Sequence, residues 1–100
     1  MATAHDMRFV GTWHKVSREA CTGRYPASLH FDTNGLYAGQ AERPGEFTWW
    51  DSGTWKTAKA GELALSVAND AVELYTCRLD AQVLTVTDSR GCEIRYEREN

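Results

Sequence analysis

Residues 61–98 read GELALSVANDAVELYTCRLDAQVLTVTDSRGCEIRYER, and apolar and polar side chains alternate along most of this stretch. Alternation with a period of two is typical of a β-strand that buries one of its faces. Short clusters such as Asn69-Asp70 and Asp88-Ser89-Arg90-Gly91 separate the alternating runs, and their residue types favour tight turns. The stretch therefore predicts consecutive antiparallel strands joined by hairpin turns.

The same alternation extends over the rest of the chain, and only 18–22 is a candidate for a single helical turn. Strands are predicted at 8–17, 28–31, 36–41, 47–50, 54–58, 62–68, 71–79, 82–87 and 92–98. Sequential hairpins form a meander, and a long meander must close or split to manage its edges. We therefore expect an all-β fold, a single antiparallel meander barrel of about eight to nine short strands. This domain spans 8–100 and follows a flexible N-terminus at 1–7.

The side chains that should face the barrel interior are large. They are Trp13, Phe31, Tyr37, Trp55, Tyr75, Ile94 and Tyr96. An eight-stranded barrel is just wide enough inside to be filled by side chains or to hold one small ligand. So many bulky residues in a chain of 100 predict a packed core rather than a roomy cavity.

Charge and hydropathy exclude several functions. The formal net charge is −3, whereas a nucleic-acid partner would require a basic face. No apolar run approaches the roughly 20 residues of a membrane-spanning helix. The first seven residues, MATAHDM, lack the basic start and apolar stretch of a signal peptide. We expect no nucleic-acid partner, no membrane association and, for a complete sequence, a cytoplasmic location.

The three cysteines are Cys21, Cys77 and Cys92. An odd number without an export signal favours reduced thiols over a disulfide framework. Cys77 and Cys92 fall on inward strand faces, where a cysteine usually acts as a small hydrophobic residue. One disulfide with one free thiol is the alternative, and it would require an oxidising compartment.

Several short motifs carry a resemblance to a known family. Gly11-Thr12-Trp13 opens the first strand, Gly53-Thr54-Trp55 follows near mid-chain, and the closing strand ends in Tyr96-Glu97-Arg98. Together they resemble the small bacterial lipocalin-like proteins of the calycin superfamily, which open with a Gly-x-Trp strand and close with an aromatic and a basic residue. The resemblance spans nearly the whole chain and implies a barrel that binds a ligand or a protein.

The resemblance also implies structural roles for particular residues. In that family the first-strand tryptophan packs across the barrel floor beneath a late arginine or lysine. Trp13 would take the first role and Arg98 or Arg95 the second, as a cation–π contact. Gly11 and Trp55 are expected to be structural with them. The chain is shorter than secreted lipocalins and lacks their disulfide pattern, so its strands and loops must be short.

Trp49 and Trp50 are the candidate contact residues. Neighbours on a strand point to opposite faces, so one indole should be exposed or lie at a rim unless a bulge buries both. With Phe47 and Tyr37, these tryptophans could line a shallow barrel mouth that holds a small apolar ligand. Alternatively, the 42–53 hairpin could contact a protein, as in a peptidase inhibitor, because tryptophan is enriched at interfaces.

Catalytic and metal sites find little support in the sequence. The spacing of His5, His14 and His30 relative to Cys21 matches no familiar zinc pattern. Cys21 with His14 or His30 is the only thiol and imidazole combination that lies near in sequence. No phosphate-binding glycine loop or dinucleotide fingerprint occurs. We expect no catalytic residue, metal or cofactor.

Overall fold

Eight strands in the described part of the chain form one closed antiparallel barrel in sequence order. In a computed structural model, residues 6–43, 45, 48–57, 61–67 and 71–99 are described. The strands are β1 (Gly11–Lys15), β2 (Ser28–Phe31), β3 (Leu36–Gln40), β4 (Ser52–Thr57), β5 (Glu62–Ser66), β6 (Val72–Asp80), β7 (Val83–Thr87) and β8 (Glu93–Arg98). The predicted meander barrel is confirmed.

The barrel closes where the first strand pairs with the last. Trp13 lies opposite Arg98, and Lys15 lies opposite Tyr96. Two short 3-10 segments, Met7–Phe9 and Ala20–Arg24, are the only helical turns among the described residues, and no helix there is long and apolar enough to cross a membrane. The helical candidate at 18–22 is thus a 3-10 turn displaced by two residues.

A dense aromatic core fills the barrel. All seven side chains predicted to point inward are buried, with Trp13, Phe31 and Trp55 fully inaccessible to solvent. The rings pack against one another at centroid separations such as 5.1 Å between Phe31 and Trp55. Every buried side-chain nitrogen and oxygen of the described residues has a hydrogen-bond partner. The apolar side chains of the core therefore pack against one another, and its buried polar atoms are hydrogen-bonded within the protein.

Most predicted strands agree with the structure to within two residues at each end, and two of them differ by more. The first strand begins at Gly11 rather than residue 8, because Met7–Phe9 forms a 3-10 turn whose N-cap Asp6 accepts a hydrogen bond from the Arg8 N–H. Of the strand predicted at 47–50, Phe47 lies outside the described residues, and 48–50 is irregular. The Trp49 N–H donates to the Arg24 carbonyl instead of to a sheet neighbour.

The expectation of reduced thiols is wrong for two of the three cysteines. Cys21 and Cys92 form a disulfide with a Cα separation of 6.1 Å, across 71 residues of sequence. Cys77 remains a free, half-buried thiol on the inward face of β6. Burial raises the pKa of Cys77 to about 11, so this thiol stays protonated near neutral pH.

Candidate functional site

One end of the barrel is crossed by residues 18–25, which we call the strap. The strap leaves β1 after Lys15 and includes the 3-10 turn Ala20–Arg24. The disulfide joins its Cys21 to Cys92, directly before β8. A polar segment with little secondary structure of its own is thereby linked covalently to the start of β8, the strand that pairs with β1.

Side-chain hydrogen bonds also hold the strap in place. The Tyr25 hydroxyl donates to Asp88 Oδ2 at 2.7 Å, while Asp88 Oδ1 accepts the backbone N–H groups of Arg90 and Cys92. At the end of β1, Lys15 Nζ donates to the carbonyl oxygens of Thr22 and Tyr25 at 2.8 and 3.0 Å. Burial lowers the pKa of Lys15, an effect that the charge of nearby Glu42 opposes.

Trp50 fills the barrel beneath the strap. Its ring lies 4.4 Å from Tyr25 and 5.2 Å from Tyr75, and its indole N–H donates to the Tyr75 hydroxyl at 3.0 Å. Trp50 has no exposed surface. A tryptophan from an irregular connection thus occupies the volume where a barrel ligand would enter.

Tyr37 is also a core residue rather than part of an open mouth. Its side chain is 2% exposed, and its hydroxyl donates to the Ser66 carbonyl at 2.7 Å. As Trp50 and Tyr37 are both buried, neither presents surface to a ligand in this conformation. Phe47, the third residue proposed to line the mouth, lies outside the described residues.

Trp49 is the exposed member of the tryptophan pair, with 38% of its surface accessible. The guanidinium carbon of Arg24 lies 5.1 Å from its ring centroid, and the Tyr25 ring meets it edge-on at 5.6 Å. Trp49 is therefore held by the strap while one face stays in contact with water. The prediction that one of the two indoles is exposed is confirmed.

A groove of about 720 Å³ opens beside this tryptophan, between the strap and the connection that follows β3. Its charged lining residues are Lys15, Arg18, Glu19, Glu42 and Arg43. The Glu19 carboxylate accepts the backbone N–H of Arg18 at 3.0 Å. Arg18, Arg24 and Arg43 are all exposed, so three guanidinium groups lie in and beside the groove. The charged side chains of the groove together with Arg24 carry a net charge of +2, from four cations and two carboxylates, although the chain as a whole carries a net charge of −3.

The predicted structural residues lie at the opposite end of the barrel. The Arg98 guanidinium lies over Trp13 at 4.3 Å, so the stacking that the resemblance implies involves Arg98 rather than the outward-facing Arg95. The guanidinium nitrogens of Arg98 also donate to the carbonyls of Val10 and Arg8. The Trp55 indole donates to the Asp32 carbonyl at 2.9 Å. These contacts close the second end of the barrel.

The candidate nucleophiles and metal ligands are not brought together. Cys21 is oxidised in the disulfide and cannot act as a thiol nucleophile. His14 contacts Glu99 at 2.8 Å, and His30 lies between Thr12 and Asp32 on the outer face of the barrel. Among the described residues, no group of three or more His, Cys, Asp or Glu side chains could hold a metal ion. His5 lies outside the described residues.

Sequence reasoning overlooked the strap as part of the site. The segment Arg18 to Pro26 reads as a polar connection, and nothing in its local pattern places Arg24 against Trp49. The sequence offers only the residue types, since an arginine and a tyrosine directly precede Pro26. No protein-family model, curated protein or solved structure matches the chain.

Proposed function

We propose that this chain is a protein-interaction domain that binds an acidic segment of a partner protein. The contact surface consists of Arg24, Trp49 and the adjoining groove. The observation that carries the proposal is the exposed Trp49 indole, held by Arg24 beside a groove with two further guanidinium groups. Tryptophan and arginine are the residues most often found at the centres of protein interfaces.

Charge selects the kind of partner. Guanidinium groups bind carboxylates through paired, charge-assisted hydrogen bonds, so Arg18, Arg24 and Arg43 favour aspartate or glutamate side chains. The exposed ring of Trp49 would cover an apolar residue of the same segment. The remainder of the chain is net acidic, and it would repel the partner from other faces.

The interior of the barrel supports a small apolar ligand less well. Trp50 and Tyr37 would have to leave the core before such a ligand could enter, and Trp50 would lose its hydrogen bond to Tyr75. The groove outside is lined largely by charged and polar side chains, which suit a peptide better than a lipid-like molecule. The lipocalin-like resemblance remains a proposal about ancestry and fold.

The Cys21–Cys92 disulfide also indicates the kind of cellular compartment in which the protein acts. Such bonds persist in oxidising compartments and are rare in the reducing cytosol. We therefore propose that the linked form acts in an oxidising environment, in place of the cytoplasmic location expected from the first residues.

A fluorescence-anisotropy titration tests the proposal. The probe is a fluorescein-labelled peptide with four glutamates around one leucine, and a matched peptide with lysines in place of glutamates is the control. We expect saturable binding of the acidic peptide alone, weakened by added salt because the contacts are exposed ion pairs. No saturable binding, or equal binding of the lysine peptide, would refute the acidic-segment proposal.

Matched variants locate the binding surface. Trp49→Ala should raise Kd by about tenfold, the scale of an interface hot spot, whereas Leu74→Ala, which removes a more exposed apolar side chain from β6, should not. Arg43→Gln should raise Kd by up to about fivefold. Arg78→Gln removes the same charge on β6 and should leave Kd unchanged.

A further inference from the structure

The contact surface is built from two segments that meet only at one end of the barrel. Arg24 belongs to the strap, and Trp49 belongs to the connection between β3 and β4. The Trp49 N–H donates to the Arg24 carbonyl at 3.0 Å, so the backbones are joined as well as the side chains. A movement of the strap that breaks these contacts would therefore separate the two halves of the surface.

Within the described residues, the backbone and the Cys21–Cys92 disulfide are the only covalent links between the strap and the barrel. Cys21 is exposed, while Cys92 is 7% exposed. A reductant can thus reach Cys21 Sγ from solvent without unfolding the barrel. The 3-10 turn that carries Cys21 spans only five residues, and besides the disulfide the strap is held by the bonds from Lys15 Nζ to the Thr22 and Tyr25 carbonyls and by the Tyr25 hydroxyl bond to Asp88.

We infer that the Cys21–Cys92 disulfide is a redox switch for the contact surface. In the oxidised form the strap holds Arg24 against Trp49, and the surface is complete. Reduction releases the strap, separates Arg24 from Trp49 and weakens binding of the acidic segment. This inference rests on the proposed function for its biological meaning, although the strap movement can be measured without any partner.

The chemistry is a thiol–disulfide exchange with a dithiol. One thiolate of the dithiol attacks Cys21 Sγ, the Cys21–Cys92 bond breaks, and Cys92 leaves as a thiolate that takes up a proton. The second thiol of the dithiol, as thiolate, then attacks the first sulfur of the same dithiol, which is bonded to Cys21 in the mixed disulfide. Cys21 is released as a thiolate, which is protonated. The protein gains two electrons and two protons, and the dithiol becomes a disulfide.

Amide hydrogen exchange tests the strap movement. The N–H groups of Thr22, Tyr25 and Trp49 report on the strap, since each is bonded to a strap carbonyl. The Trp55 N–H, bonded to the Gly35 carbonyl at the opposite end, reports on the barrel. Dithiothreitol is the reductant, and Cys77→Ser is used throughout so that only the disulfide changes.

We expect reduction to speed exchange at the strap amides by about tenfold or more while Trp55 keeps its protection. The variant that combines Cys21→Ser with Cys92→Ser should behave like the reduced protein without any reductant. Unchanged exchange at the strap would overturn the inference. Loss of protection at Trp55 together with the strap would overturn it too, because the bond would then stabilise the whole fold rather than a switch.

Peptide binding separates this inference from the proposed function. We expect Kd for the acidic peptide to rise by about tenfold on reduction, within the usual range of coupling between two sites. Binding that is equal in both redox states would overturn the switch and leave the proposed function standing. Failure of the oxidised protein to bind would overturn the proposed function, and the exchange data alone would then decide whether the strap opens.

Discussion

The guanidinium of Arg98 stacks on Trp13 because Gly11 leaves room for it. Arg98 Cζ lies 4.3 Å from the ring centroid, and a Cβ placed on Gly11 would lie 2.9 Å from Arg98 Nη1. Gly11 also has φ +131°, a backbone conformation that other residues rarely adopt. The backbone conformation at Gly11 thus favours glycine, and the missing Cβ leaves room for the end of the Arg98 side chain.

Gly11→Ala should therefore destabilise the fold by about 1–3 kcal/mol, through backbone strain and displacement of Arg98. Gly23→Ala is the matched control, because a Cβ there would meet nothing within 4 Å. The control should change the free energy of unfolding by less than about 0.5 kcal/mol. Urea denaturation measures both, and equal effects would contradict the role given to Gly11.

The two adjacent tryptophans should respond very differently to truncation. Trp50→Ala removes a fully buried ring and should cost about 3–5 kcal/mol of stability. Trp49→Ala removes a half-exposed ring with one cation–π contact and should cost about 1 kcal/mol or less. Thermal unfolding of both variants checks this. Similar losses would show that Trp49 also belongs to the core.

Acid should weaken the attachment of the strap through Asp88. Burial raises the pKa of this carboxyl, but the hydrogen bonds from Tyr25, Cys92 and Arg90 together lower it below its usual value of 3.8. A lowered native pKa means that the carboxylate stabilises the fold above the unfolded-state pKa. That stabilisation is lost as pH falls through the native pKa.

Asp88→Asn should consequently flatten the decline in stability of the protein below about pH 4. Tyr25→Phe should flatten it partly, because one of the bonds to the carboxylate is removed. Asp6, whose pKa the hydrogen bond from Arg8 lowers, will leave some acid dependence in both variants. Melting temperatures from pH 2 to pH 7 give the comparison, and an unchanged slope in Asp88→Asn would contradict it.

The barrel could be predicted because its signal is local. Between residues 62 and 98 apolar and polar side chains alternate along most of the chain, so the buried face of Leu63 and Leu65, or of Ile94 and Tyr96, is defined by neighbouring residues alone. Turn residues then fix where each strand ends. An antiparallel meander needs no further information about which strands pair.

The site could not be predicted in the same way because its contacts are distant in sequence. Cys21 finds Cys92 across 71 residues, and that pairing depends on the path of the strap over the barrel end. Trp49 and Trp50 are identical in type, so sequence alone could not say which of them is buried. The backbone at 48–50 lies outside the sheet, and it buries Thr48 and Trp50 while it leaves Trp49 exposed.

The barrel is filled by its own side chains and, as we propose, binds its partner on the outside, and the four indole N–H groups of the protein can report this directly. Three lie on buried rings and donate to Phe9, Tyr75 and Asp32, while the fourth belongs to Trp49. In a ¹⁵N–¹H spectrum of the oxidised protein, titration with the acidic peptide should shift the Trp49 indole and leave those of Trp13, Trp50 and Trp55 in place. Movement of the Trp50 resonance with an unperturbed Trp49 would place the ligand inside the barrel and contradict the account.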